Sequence, residues 1–403
     1  MRHIARKYVE FVRRPHVGRL LLVAFFSRMP IGMVGFSMLM FLREALGNYT
    51  LAGLAVGINF VSMAIAAPVQ GRIMDRHGPE RLLRVTAVVT TLALCGMAAA
   101  ALARLPFAVI ASLAALAGAF ANPITTLTRT IWRHLFDDED DRRTAFALDA
   151  VMIEFNFTVG PAIVALMLAV ASPTAAFALT IVVVAGSAVL FMASGAMKLF
   201  KGVGKAQRHL LGPLTEPRLL VVFFAMLGIT TGFGILEVGY PAFSTYLGMG
   251  ALAGILLAIN SLGSATGGAL YGGLHFKAPL ERQFAVCMML MAIPFGLHAA
   301  FLHPIAYGVL AFISGALIAP TLTIHAVLVS RLAPPKYATE AFTWSSTFIV
   351  AGLGTGMAVG GALAENAGIP TMFLVAGALI LCMGAGVWIA LSPSSAARAQ
   401  AAD

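Results

Sequence analysis

Gly71-Arg72-Ile73-Met74-Asp75-Arg76-His77-Gly78-Pro79-Glu80-Arg81 closes one long apolar stretch of this 403-residue chain and precedes another. The pattern around it occurs again about 200 residues later, as a duplicated unit requires. Leu51-Ala52-Gly53 with Ile58-Asn59 reappears as Leu252-Ala253-Gly254 with Ile259-Asn260, and Gly71-Arg72 falls opposite Gly272-Gly273. Further pairs keep the same offset. Arg19-Leu20-Leu21 matches Arg218-Leu219-Leu220, Gly118 and Pro123 match Gly315 and Pro320, and Ala145-Phe146 with Gly160 matches Ala341-Phe342 with Gly356.

Hydrophobic residues make up 60% of the chain and charged residues only 11%. No soluble domain of this length hides so much apolar surface, so the expected solvent is lipid. A helix crossing the ~30 Å hydrocarbon core needs about 20 apolar residues. Twelve such segments are expected, over 19–42, 50–71, 82–103, 105–128, 144–169, 173–197, 218–246, 251–273, 282–302, 304–329, 340–364 and 369–392. The runs are continuous and rich in Ala, Leu and Gly, without the alternation of membrane strands. The fold class is therefore all-α, with two six-helix pseudo-symmetric bundles over 1–197 and 218–403 and a cytoplasmic linker over 198–217. Six is even, so the two copies share one orientation, about an axis along the membrane normal.

The net charge of +10 would suit nucleic acid in a soluble protein. Here the basic residues sit in short loops on alternate sides, as orientation signals do, and no nucleic-acid partner is expected. Arg2, Arg6, Lys7, Arg13, Arg14, Arg72, Arg76, Arg81, Arg84, Lys198, Lys201, Lys205 and Arg208 fall on one side, against Arg43 and Arg104 on the other. Both termini are expected in the cytoplasm, with Met1 to Arg19 as a retained preface lacking a signal-peptide cleavage pattern. Cys95, Cys287 and Cys382 lie inside apolar segments and read as packing residues, with no disulfide or metal role.

With twelve spans and a repeat in place, the chain resembles the major facilitator superfamily over nearly its whole length. The family signature after the second helix is a Gly, an acidic-basic pair, a second Gly and further basic residues; Gly71, Asp75, Arg76, Gly78 and Arg81 match it. Glu80 stands where a basic residue is usual. The resemblance implies a gating role for this motif, with Asp75 accepting hydrogen bonds at the positive start of the eleventh helix, near Glu340. The alternative is a charged loop that only sets topology. Two signatures of drug exporters are incomplete: Ala114 replaces a helix-four Arg before Gly118, and Val164 and Ala165 follow Gly160-Pro161.

Charged side chains inside a membrane are costly and mark function or pairing. Arg28 and Glu154 both fall about 15 Å from the cytoplasmic face at 1.5 Å per residue. They read as a pair. Glu154 exchanges a proton while Arg28 lowers its pKa or binds an anionic substrate group; the alternative is a structural tie between two helices. Glu237 is a further proton-coupling candidate, and Asp149 is expected to face the cytoplasmic loop. Asn59, Asn122, Asn156, Tyr240 and Asn260, with Arg28, are candidate cavity residues, although interhelical packing is the commoner use of such groups.

These readings converge on a secondary transporter that moves a small organic solute by alternating access, with proton-coupled efflux as the expected mode. An uptake permease, or a non-transporting sensor or lipid-handling protein, is the alternative. No metal cluster, nucleophile elbow or phosphate loop supports an enzyme, so neither enzymatic activity nor a cofactor or metal is expected. The resemblance implies a monomer in a prokaryotic inner membrane, similar to sugar- or drug-efflux members.

Overall fold

Inside hydrocarbon the backbone has no water to bond, so each apolar run must satisfy its own ladder as helix. The computed structural model describes residues 10–136, 138–199, 212–274, 276–334 and 338–391, and these contain no strand. They hold twelve helical spans long and apolar enough to cross a membrane. The spans are α1 Val17–Leu46, α2 Tyr49–Met74, α3 Pro79–Leu102, α4 Phe107–Arg133, α5 Thr144–Val170 and α6 Pro173–Ala193. Then follow α7 Pro217–Tyr246, α8 Leu252–Gly272, α9 Leu280–Leu297, α10 Pro304–Leu332, α11 Glu340–Asn366 and α12 Ile369–Leu391. Each overlaps one of the segments expected from sequence.

Three spans are broken. α1 consists of Val17–Ser27 and Pro30–Leu46, α4 of Phe107–Ala119 and Ile124–Leu135, and α10 of Pro304–Ala316 and Ile318–Leu332. Pro30 and Pro123 lack the N–H that would continue the ladder. The helix of α2, by contrast, runs on to His77. Met74 is buried against Leu82 and Leu83, which holds those last turns in place. Arg72 to His77 is thus helix where a loop was expected, and the turn itself is Gly78. Gly78 has a φ of 81°, a left-handed conformation that glycine adopts without strain. Its N–H caps the carbonyl of Met74 at 3.0 Å, and Pro79 opens α3.

The chain forms two compact units, Met1–Asn48 with Ile65–Ala206, and Tyr49–Ala64 with Gln207–Asp403. In the first, α1 packs on α5 and α6, and α3 on α4 and α6. In the second, α7 packs on α11 and α12, and α9 on α10 and α12, so the repeat visible in sequence recurs in packing. The second unit also holds the first half of α2. There the Tyr49 N–H donates to Glu365 Oε2 at 3.0 Å, its hydroxyl meets Thr245 Oγ1 at 2.9 Å, and Gly57 lies against Gly354.

Backbone contact at glycine fixes the central crossing of each unit. A Cβ on Gly32 would overlap the Asn156 carbonyl, and one on Gly160 would sit 2.8 Å from the Cα of Gly32. In the second unit a Cβ on Gly234 would overlap the Leu353 carbonyl, and one on Gly356 the Thr231 carbonyl. Such small-residue contacts let membrane helices approach closely enough for dispersion to hold them. Cys95 and Cys382 are exposed and Cys287 is half-buried, all as free thiols, so the first two are not the packing residues expected.

Gly356→Leu should therefore separate α7 from α11, at a cost of about 1–3 kcal/mol for overpacking. Gly186→Leu, with nothing within 4 Å of its Cβ, should be neutral. Thermal denaturation of both variants in detergent checks this, with a lowered midpoint expected for Gly356→Leu alone.

Candidate functional site

The break in α1 is where the first unit places its buried charge. Ser27 ends one helix and Pro30 begins the next, leaving Arg28 in the connecting turn. Its N–H still reaches Ala24 O at 3.0 Å, while Ile31 N–H donates to Arg28 O at 3.0 Å and Gly32 N–H to Met29 O at 3.2 Å. The turn is tighter than α-helix at this point. It directs a side chain that is 0% exposed toward α5.

The acceptor is Asp149. Arg28 Nη1 donates to Asp149 Oδ1 at 2.7 Å, with the aspartate side chain only 1% exposed. Trp132 Nε1 donates to the same oxygen at 3.1 Å from the second part of α4. Arg129, one turn earlier on that helix, brings Nε to 3.5 Å from Asp149 Oδ2 and is 48% exposed. One carboxylate therefore joins three spans and lies between a buried and a half-exposed guanidinium. Charge-assisted hydrogen bonds of this kind are the strong ones, and an intramembrane pair is costly to break.

This corrects the expected partner of Arg28. Asp149 does not face a cytoplasmic loop, because its helix already begins at Glu139 and carries position 149 onto α1. Helix geometry supplies the reason. At about 100° per residue, position 154 departs from the face of position 149 by about 140°, whereas position 156 returns to within about 20°. Asp149 and Asn156 thus share the face turned to α1, and the side chain of Glu154 lies outside the described residues. The sequence signal that could have identified Asp149 was this spacing of seven between Asp149 and Asn156.

Polar atoms around the pair are left over. Arg28 Nε and Nη2, Ser27 Oγ and both amide atoms of Asn156 are buried with no hydrogen-bond partner. An arginine presents five N–H donors in a fixed fork, and here only one nitrogen is engaged. The surplus suits an incoming carboxylate or phosphate.

The remaining candidates are dispersed. Asn122, at the break of α4, donates to Val184 O at 3.4 Å. Asn260 of α8 donates to Ala311 O at 3.0 Å and Ser314 Oγ at 3.2 Å, both on α10. Asn59 is buried in α2. Tyr240 is 0% exposed, its hydroxyl 3.4 Å from His298 Nε2 and its ring against Phe373. Tyr240 and Asn260 are thus engaged in packing contacts between helices. Glu237 is half-buried on α7, one turn beyond Gly234. In the signature, Arg76 and Arg81 are exposed, Glu80 pairs with Arg84 at 3.4 Å, and the Asp75 side chain lies outside the described residues. No group of His, Cys, Asp and Glu suited to a metal occurs among the described residues.

Removing one member of the Arg28–Asp149 pair should strand the other in a dry interior, at a cost of about 3–5 kcal/mol. Arg28→Gln with Asp149→Asn, which removes both charges, should restore most of that loss. A double-mutant cycle on thermal stability reads the coupling; simple additivity would mean that the two side chains do not interact.

No curated protein matches the chain. Among solved structures it is similar to a mutant form of peptide transporter POT, with a TM-score of 0.68 and 13% identity, covering 92% of this chain and 93% of that one. At that identity the likeness shows the fold alone. The family model described as Major Facilitator Superfamily matches residues 20–308, most of the chain, and includes the signature, the broken α1 and the Arg28–Asp149 pair. The chain belongs to the major facilitator superfamily.

Proposed function

We propose that this transporter exports a small organic solute across the cytoplasmic membrane in exchange for protons, as a monomer with both termini inside. The observation that carries this reading is the Arg28–Asp149 ion pair, 0% and 1% exposed within membrane-spanning helices. Charge is kept at such depth where it is used, and a carboxylate opposed to a guanidinium is a proton site whose occupancy changes its partner's interactions.

Deprotonated, Asp149 holds Arg28 and Trp132 through Oδ1. In that state the solute binds with an anionic group on the two unengaged nitrogens of Arg28 and a hydrogen-bond donor on Asp149; protonation removes this acceptor and releases the solute. Arg129, half-exposed beside Oδ2, gives the carboxylate a second cationic partner during exchange. Proton and solute thus exclude each other at the Asp149 carboxylate, which is what exchange requires. Glu154 and Glu237 are the other carboxylates proposed to carry protons. Asn156 contributes amide contacts beside Arg28. The residues Gly71, Asp75, Arg76, Gly78 and Arg81 form the gate motif, with Asp75 as its acidic member.

A panel of toxic solutes applied to an overexpressing strain identifies the exported compound. In proteoliposomes with an imposed pH gradient, Asp149→Asn should then abolish uphill movement while labelled-solute exchange persists. Undiminished uphill transport by that variant would remove Asp149 from coupling. Glu154→Gln and Glu237→Gln, measured in the same way, separate the carboxylates that carry protons from those that do not.

Asp75→Asn should lower the transport rate with a normal yield of folded protein. A helix-terminal carboxylate contact is worth up to ~2 kcal/mol, which shifts a conformational ratio roughly thirtyfold. Normal transport by Asp75→Asn would reduce the motif to a topology signal.

A further inference from the structure

A cavity of about 360 Å³ lies between the start of α1 and the end of α6. Its polar end carries His16, Arg19 and Lys198, and its walls include Leu20, Val23 and Leu199. None of the described lining residues is acidic. The three basic side chains form no ion pair with a described residue.

Local structure fixes the polar end. His16 precedes the first helical residue of α1 with a φ of 70°, and no side chain caps that helix start. The first turn of the helix contains no acidic residue either. The partial positive charge of the helix start therefore adds to that of Arg19 instead of opposing it. Across the cavity, Gly195 at φ 73° turns the chain out of α6 into the 3-10 helix Ala196–Leu199, with Lys198 N–H donating to Gly195 O at 3.0 Å. The Ser194 hydroxyl accepts from the Ala196 N–H at 3.1 Å. Lys198 is thus placed by a built turn rather than carried on a loose loop.

An uncompensated cluster of cations favours an anion. The walls indicate which kind. Val23 lies one helical turn, about 6 Å, beyond Arg19. Beyond the cavity, Leu22, Phe26, Val189 and Leu190 continue as exposed apolar side chains, at 62%, 53%, 60% and 41%. A soluble anion would use only the basic end; a molecule with a charged head and an apolar tail matches the whole surface. We propose that this cavity binds an anionic phospholipid, with its phosphate held by Arg19, Lys198 and His16 and its first acyl carbons on Leu20 and Val23. The proposal is independent of the transport mechanism, since none of these residues belongs to the Arg28–Asp149 site.

The test uses the purified full-length protein in detergent, titrated with phosphatidylglycerol or phosphatidylcholine of matched acyl chains and read by native mass spectrometry. Wild type should retain phosphatidylglycerol more than tenfold in preference. Each basic residue near a membrane surface contributes about fivefold in affinity for anionic lipid, so Arg19→Gln with Lys198→Gln should lose roughly 25-fold. Phosphatidylcholine, whose choline cation offsets its phosphate, should lose much less than this, and Arg331→Gln should leave the preference unchanged. If the double variant does not fold, Lys198→Gln alone carries the test with a fivefold loss. Equal binding of the two lipids by wild type, or full phosphatidylglycerol binding by the variants, would overturn the proposal. So would displacement of the lipid by millimolar inorganic phosphate, which would make this a free-phosphate site.

Discussion

A guanidinium that is 0% exposed within a membrane-spanning helix sets the terms for the first unit. Transfer of such a charge to the middle of a helix in lipid costs several kcal/mol unless it is paired. The cost is met by geometry. The Pro30 break turns Arg28 toward α5, the Gly32–Gly160 crossing brings α5 against α1, and Trp132 occupies the second site on the shared oxygen. Loss of any of these elements would leave the pair misaligned, so local sequence and long-range packing depend on each other here.

The second unit meets the same packing demand without the charge. Gly356 crosses α7 where Gly160 crosses α1; in the Arg19–Arg218 alignment Gly32 falls opposite Thr231, whose carbonyl a Cβ on Gly356 would overlap, yet the residue opposite Arg28 is Leu227. The helices at this level carry Thr230 and Thr231, whose hydroxyls bond back to Met226 and Leu227 within α7 itself. Duplication preserved the contact that sets helix separation and left the chemistry free to differ. Glu237, further along α7, has no acidic counterpart in α1, so charge is distributed asymmetrically between the repeats.

Most of the architecture was legible because lipid leaves so few options. Continuous apolar runs had to be helices, and the spacing of Gly71, Gly78 and Pro79 marked the turn between α2 and α3. The site was legible only in part. Arg28 was conspicuous as a cation in an apolar run, but its partner is settled by rotation about α5, and two acidic residues five positions apart look alike on a hydropathy trace. Asp149 also sits only about one turn inside the segment expected to begin at Thr144, which made it read as a residue facing the cytoplasmic loop. The packing roles of Asn260 and Tyr240 depend on partners 51 and 58 residues away, beyond the reach of any local pattern.

The separation of 121 residues between Arg28 and Asp149 has a consequence for biosynthesis. At a translation rate of about 5–20 residues per second, roughly 6–24 s pass between the synthesis of the arginine and that of its counter-ion. Throughout that interval α1 carries an unpaired cation whose insertion is unfavourable by about 2.5–3.5 kcal/mol at a helix centre. The first span therefore cannot settle fully into lipid when it emerges. It has to wait in a hydrated or proteinaceous setting, or lie shifted toward the interface, until α5 arrives. Final placement of α1 is thus among the later events in the assembly of the first unit.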